Sequence, residues 1–329
     1  MPSRIRMAAL AALVLVIAMP AQAQHRHWTV RLDPSWVTPY GHDQHVLTIH
    51  ELDPAAARED KTAVTLETKS EWAYRGGVEY ANAGWAWGLS FWWLQTSQEA
   101  PGESRAATGG GDVVTFEAAD VSFTSTDPGE VLYFGRLEDT ELATWTLDLY
   151  GERTLTQSGA NRLGLRLGVR FADFDNDYRA VLGIEDVEGA RLDAESNYPR
   201  MTGPLVGVSG TALLGPVALD GHLSQSVVIG EVAFNTQSRR FTGPADSPTY
   251  TFTETFGTSE RIAIPITDLR IRGMVEVIDH VALGVGVEAA SWWDVGVPPG
   301  IVPGPGGDQV LHENTLVYFG VVGVLAVQF

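Results

Sequence analysis

Cysteine is absent from the 329 residues. That excludes a disulfide framework, a thiolate zinc site, an iron–sulfur cluster and a lipid-modified cysteine. Basic charge is scarce: 22 Lys and Arg stand against 41 Asp and Glu, a net charge of −19. Only Lys61 and Lys69 are lysine. A nucleic-acid binder carries a basic footprint, so no nucleic-acid partner is expected. Long apolar runs are missing beyond the N-terminus, and mean hydropathy is close to zero. A bundle of membrane-spanning helices needs such runs, so that class is excluded. Charged residues make up 19% of the chain, below the roughly 25% of an ordinary soluble domain. The chain also lacks a Gly-x-Ser-x-Gly elbow, a His-Glu-x-x-His site and a phosphate loop, so neither an enzyme nor a cofactor is expected.

What is present begins with an export address. Arg4 and Arg6 precede an apolar stretch, 7–19, that is too short to cross a bilayer. Ala21-Gln22-Ala23 then supplies a small-x-small cleavage pattern, so residues 1–23 read as a cleaved secretory signal peptide. The mature chain, 24–329, is expected outside the bacterial cytoplasm.

The dominant period after the signal is two. Leu163, Leu165, Leu167, Val169 and Phe171 alternate with Arg162, Gly164, Arg166, Gly168 and Arg170. Successive strand side chains point to opposite faces, so this segment has one apolar face and one of Arg and Gly. A soluble sandwich would bury the apolar face; a membrane barrel turns it to lipid. The other strands favour the barrel. Trp85, Trp87, Leu89, Phe91 and Trp93 alternate with Ala86, Gly88, Ser90 and Trp92, and Leu269, Ile271, Val275 and Val277 oppose Asp268, Arg270, Arg272 and Glu276. A dry core rarely faces so many charges, whereas a hydrated lumen accepts them.

Connection lengths point the same way. Short turns fall near 81–84, 157–160, 215–217 and 278–280, and long connections near 39–61, 98–140, 174–193, 235–260 and 296–314. Short turns at one end and long extracellular loops at the other are the barrel pattern. Aromatics cluster near strand ends, with Trp28, Tyr80, Trp85 and Trp87 toward the turns and Trp36, Trp93 and Trp293 toward the loops. The expected fold is all-β: a transmembrane, antiparallel, up-and-down barrel of about ten strands. A further hairpin from 113–123 and 131–136 would make twelve. The final strand, 315–329, ends on Phe329 with Val317, Phe319, Val321, Leu325 and Val327 on the same face. It resembles the sorting signal by which outer-membrane barrels reach their assembly machinery. The expected partners are that machinery, outer-membrane lipid and lipopolysaccharide.

The order of segments is similar to the Legionella-type major outer-membrane, pore-forming barrel family. The landmarks are the Trp36 region, then Glu71 to Tyr80, Leu147 to Glu152, Leu167 to Ala172, Gly203 to Gly207, Ser226 to Gly230, and Gly286 to Trp292 with the closing strand. Met201-Thr202 departs from the family's Gly-rich approach to Gly203-Pro204, and the loops look unrelated. The resemblance implies a pore and leaves its selectivity open.

By parity, the inward charges are Arg31, Asp33, Glu71, Arg75, Glu79, Asp148, Glu152, Arg166, Arg170, Asp220, Asp268, Arg270, Arg272, Glu276 and Glu288. They could form a constriction that selects ions or small hydrophilic solutes. Equally, they could form a ladder of cross-strand pairs that fills a narrow interior. With a turn at Asp279, Arg270 sits opposite Glu288, and Asp148 and Glu152 lie near Arg166 and Arg170. Asp173, Asp175 and Asp177 offer carboxylates for Ca²⁺ or Mg²⁺ but lack EF-hand spacing, and a solvated acidic loop is the alternative. His222, Asp220 and Ser224 share one strand face, where parallel side chains cannot wrap into a catalytic triad. The leading expectation is passive diffusion through a charge-lined lumen. A non-conducting adhesin or structural barrel is the first alternative and a barrel hydrolase the second.

Overall fold

The computed structural model describes residues 26–40, 45–53, 58–65, 67–99, 103–106, 113–118, 121–125, 132–184, 188–245, 247–296 and 313–329. The chain begins with β1 (Arg26–Tyr40), β2 (His45–Asp53), β3 (Arg58–Thr65), β4 (Glu67–Thr68), β5 (Glu71–Asn82) and β6 (Trp85–Glu99). Three short strands follow, β7 (Glu103–Ala106), β8 (Val113–Ala118) and β9 (Val121–Ser125). Long strands complete it: β10 (Leu132–Ser158), β11 (Asn161–Ile184), β12 (Glu188–Leu214), β13 (Val217–Thr242), β14 (Thr249–Ile278), β15 (Val281–Gly296) and β16 (Glu313–Gln328).

Among the described residues, ten of these close a transmembrane barrel in the order β5, β6, β10 to β16 and β1, every neighbour antiparallel. Closure is made by β1, which pairs with β16 on one side and β5 on the other. The last residue completes it: Phe329 donates its N–H to the Trp28 carbonyl at 2.9 Å, and its own carbonyl accepts from Trp28 N at 3.1 Å. A closed ring leaves no unpaired strand edge, which is what lets a sheet cross lipid. The short turns come at 83–84, 159–160, 215–216 and 279–280, as the sequence predicts. At the first, Ala83 and Gly84 both have positive φ, 44° and 85°, the backbone of a hairpin turn whose twist matches its strands.

The apolar parity faces outward. Leu167, Val169, Ile271, Leu283, Val285, Val321 and their neighbours form an exposed belt. Aromatic pairs border it, Trp28 on Tyr80 and Trp85 on Trp87 near the short turns, with Trp36 on Trp72 and Tyr74 on Trp93 at the other edge. Trp28 and Trp36 are eight residues apart on β1. That is about 26 Å along the strand at roughly 3.3 Å per residue, or about 20 Å of height at the usual ~40° tilt, within the ~25 Å apolar band of such barrels.

The long connections are shorter than the alternation suggests. Most of 174–193 and 235–260 is strand, belonging to β11 and β12 and to β13 and β14. Past Phe171 the outer positions of β11 become Asp173, Asp175, Asp177 and Arg179, so the apolar signal stops while the ladder of backbone hydrogen bonds continues. Pairing needs no apolar side chain, only a partner strand. Segment 39–61 contains β2, and 98–140 contains β7 to β9 and the start of β10. Strands β8 and β9 pair with each other in a separate four-stranded sheet with β2 and β3, so they do not enlarge the barrel. The segment 1–23, expected to be a signal peptide, and most of 296–314 lie outside the described residues.

A charge on the belt tests the membrane assignment. Val285 is 70% exposed on the apolar belt, so Val285→Arg should destabilise the barrel by up to about 2–4 kcal/mol in a bilayer. Denaturant titration in lipid vesicles, with a smaller loss for an Arg placed near the short turns, measures this.

Candidate functional site in the barrel interior

Inner positions are chemically sorted along each strand. Reading away from the short turns, β14 presents Arg272, Arg270, Asp268, then Ile266 and Ile264, and β13 presents Asp220, His222, Ser224, Ser226, then Val228. On β11 the run is Arg166, Arg170, Ala172 and Phe174; on β15 it is Glu288, Ala290 and Trp292. The interior is therefore charged in its turn-proximal half and apolar beyond it.

The charged half is one connected network. Arg170 grips Asp148 through two hydrogen bonds, 2.7 and 2.8 Å, and reaches across to Asp268 and to Ser226 Oγ. Asp268 lies 4.0 Å from Arg75, whose Nε donates to Glu288 at 3.4 Å, and Ser35 Oγ donates to the other Glu288 oxygen at 2.6 Å. Arg272 bridges Asp33 and Asp220, at 2.6 and 2.9 Å. Glu152 accepts from Arg166 and Arg162. The Arg166 guanidinium also lies 3.7 Å from the centre of the Tyr150 ring, whose hydroxyl donates to Glu79 at 3.1 Å. Gly88 makes room for that ring, since a Cβ there would stand 2.3 Å from it.

The structure places most of the parity-assigned charges within the barrel. Asp33, Arg75, Asp148, Glu152, Arg166, Arg170, Asp268, Arg270, Arg272 and Glu288 are buried inside, and Arg31, Glu79 and Asp220 are half-buried among them. Two differ. Glu276 is exposed at the rim, where it accepts from His280 N at 3.0 Å. Glu71 lies beyond the network, in register with buried Val37 and beside a different cavity. Register does place Arg270 opposite Glu288, yet the Glu288 oxygens are held by Ser35 and Arg75 instead. Asp220 is held by Arg272 and by Arg31 at 3.9 Å rather than by His222.

The apolar half contains residues that parity alone treats as incidental. Trp92, Leu94, Leu142, Phe174, Tyr198, Phe234, Ile264, Trp292 and Tyr318 are buried in one cluster. Phe174 and Trp292 have ring centroids 6.1 Å apart, although β11 and β15 are four strands apart around a ten-strand ring. Trp92 meets Tyr318 edge-on at 5.3 Å, and Tyr198 meets both Phe174 and Phe234. Side chains of nearly opposite walls thus touch, forming a septum. The signal was the inner parity itself, which turns apolar at Ile266, Val228 and Trp92.

Cavities occur near both ends of the described strands. One, of about 720 Å³, lies among the charges and the short turns, with Arg31, His222, Arg270 and His280 on its wall. The other, of about 940 Å³, involves Glu71, Gln95, Glu141, Asp177, Glu195 and Thr255 near the long-connection end. Beside it, carboxylate oxygens of Asp175, Asp177 and Glu195 come within 4.8 Å of one another. Asp173 stands apart from this trio and accepts from Arg200 N at 3.4 Å. These residues continue the outer face beyond the belt. Partial burial and then the neighbouring carboxylates push Asp175 up to about 7 and Asp177 to about 6.

No protein-family profile and no curated sequence matches the chain. Among solved structures, the outer-membrane protease OmpT of Escherichia coli is similar over 92% of this chain and 97% of that one, at 13% identity and TM-score 0.48. The toluene transporter TodX of Pseudomonas putida covers 96% and 93% at 9% identity and TM-score 0.20. OprB of the same species covers 93% and 94% at 7% and 0.17. Likenesses this distant carry no activity to this chain.

Two outcomes follow from the site. Asp268→Ala removes a carboxylate that Arg170 and Arg75 share, leaving Arg170 on Asp148 and Arg75 on Glu288, and should cost about 1.5–3 kcal/mol of stability, measured by denaturant titration. Asp175 and Asp177 have the opposite sense to a salt-bridged carboxylate. Their folded-state values lie above the ordinary 3.8, so their contribution is present below about pH 4 and lost as pH rises through about 6 to 7. Hydrogen exchange at 173–197 should speed up across that window, and Asp175→Asn should flatten the dependence.

Proposed function

We propose that this protein is a bacterial outer-membrane barrel whose resting lumen is closed, and that its work is done on the face carried by the extended strands β10 to β14. The Phe174–Trp292 contact carries this reading. A diffusion pore needs a hydrated path, and here aromatic rings of nearly opposite walls meet above a network of paired charges. Away from water, those rings gain from burial, roughly 1.5–3 kcal/mol each, plus about 0.5–1.5 kcal/mol per aromatic pair. The barrel acts as a rigid post. Its polar outer face, with Asp175, Asp177, Glu195, Arg179 and Arg239, stands beyond the apolar belt, where an adhesin or a structural barrel meets its surroundings. Phe329 on the closing strand supports assembly through the barrel assembly machinery, following export by the 1–23 signal peptide. The partners in this reading are outer-membrane lipid and lipopolysaccharide.

The second reading is a pore for ions or small hydrophilic solutes, as the resemblance to the Legionella-type family implies. The 720 Å³ vestibule favours it, because charge-lined space reaches well into the barrel from the short turns. In that reading the septum is a gate. Planar-bilayer recording distinguishes the two. The native barrel should show no ohmic steps, whereas trimming the septum with Phe174→Ala and Trp292→Ala should produce them. Steady conductance by the native protein would instead establish the open pore.

A further inference from the structure

The buried ion pairs pass over one arginine. Asp33 and Asp220 are engaged by Arg272, and Glu152 by Arg166 and Arg162. Asp148 and Asp268 are engaged by Arg170, and Glu288 by Arg75. Among the described residues, Arg270 has no ion pair, and its Nε is buried without a hydrogen-bond partner. Its side chain is 7% exposed. A guanidinium cannot shed its proton to escape this position. A lone charge taken out of water costs several kcal/mol unless an opposite charge meets it.

The surroundings supply a receptacle rather than a counter-ion. Arg270 is on the wall of the 720 Å³ cavity, with His222, its register partner on β13, beside it. His222 is 5% exposed, and its Nδ1 also lacks a partner. Arg272, whose Nε is unpartnered as well, lines the same cavity. Arg270 and His222 thus line a cavity whose nearby carboxylates are already hydrogen-bonded elsewhere.

We propose that this vestibule binds a small oxyanion, of the phosphate or carboxylate class, on Arg270 with His222 as second donor. The anion enters from the short-turn end, so the site is independent of whether the septum opens. Charge-assisted bonds from a guanidinium fork suit such a ligand.

The experiment is isothermal titration of inorganic phosphate, and separately acetate, into the folded full chain in detergent near neutral pH at constant ionic strength. One saturable site per chain is expected for at least one of the two anions. Arg270→Met should weaken it by about tenfold or more, while Arg270→Lys, which keeps the charge, should weaken it less. Because Arg270→Met removes an unpaired charge, it breaks no existing pair. Should that variant not fold, His222→Ala should still weaken binding several-fold. No saturable heat with either anion overturns the proposal. So does an isotherm unchanged in Arg270→Met, or in His222→Ala if that is the variant read.

Discussion

Phe174 and Trp292 meet inside the barrel from strands four apart, and the rest of the interior is arranged around the fact that such opposite walls touch. In a ring of ten strands the space between walls is small enough for side chains to fill it. Each inner position must then either find a complementary partner or exclude water. Nearer the short turns the chain uses the first solution, with Arg170, Arg75 and Arg272 each bridging carboxylates from different strands. Farther along it uses the second, with Trp92, Tyr198, Phe234 and Tyr318 buried in the same cluster as that pair. The two halves support each other. The apolar septum lowers the local dielectric over the network, which strengthens its pairs and raises the cost of leaving one incomplete.

Much of this was legible in the residues. Alternation from Leu163 to Phe171 defined the outer face, and the turns at Gly84, Gly159, Gly215 and His280 set where strands reverse. The Arg270–Glu288 register followed from turn position, as did the nearness of Asp148 and Glu152 to Arg166 and Arg170. Hidden were contacts across the lumen, because parity says which side chains point inward but not which meet. Glu288 therefore belongs to Arg75 and Ser35 rather than to its neighbour Arg270. The septum had a signal, the change from Asp268 to Ile266 and from Ser226 to Val228 on the inner parity. It was masked by the equally apolar outer parity, which made those stretches look uniformly lipid-facing.

The extended strands illustrate a different limit. Asp173, Asp175 and Asp177 follow Phe171 on one face of β11, so the hydrophobic signal ends where the membrane does, while the ladder continues. The feature that stops reading as transmembrane strand is thus the part that stands clear of the bilayer. There, carboxylates crowd together at some electrostatic cost, which is tolerable at a partly hydrated surface and would not be in lipid.

The most direct measurement of a closed lumen uses the absence of cysteine from the native chain. Ser209→Cys places a single thiol on the wall of the turn-side vestibule, in protein reconstituted with one orientation in sealed vesicles. A membrane-impermeant thiol reagent should label it from the short-turn side and leave it unlabelled when applied only from the long-connection side. Equal labelling from both sides would contradict the septum.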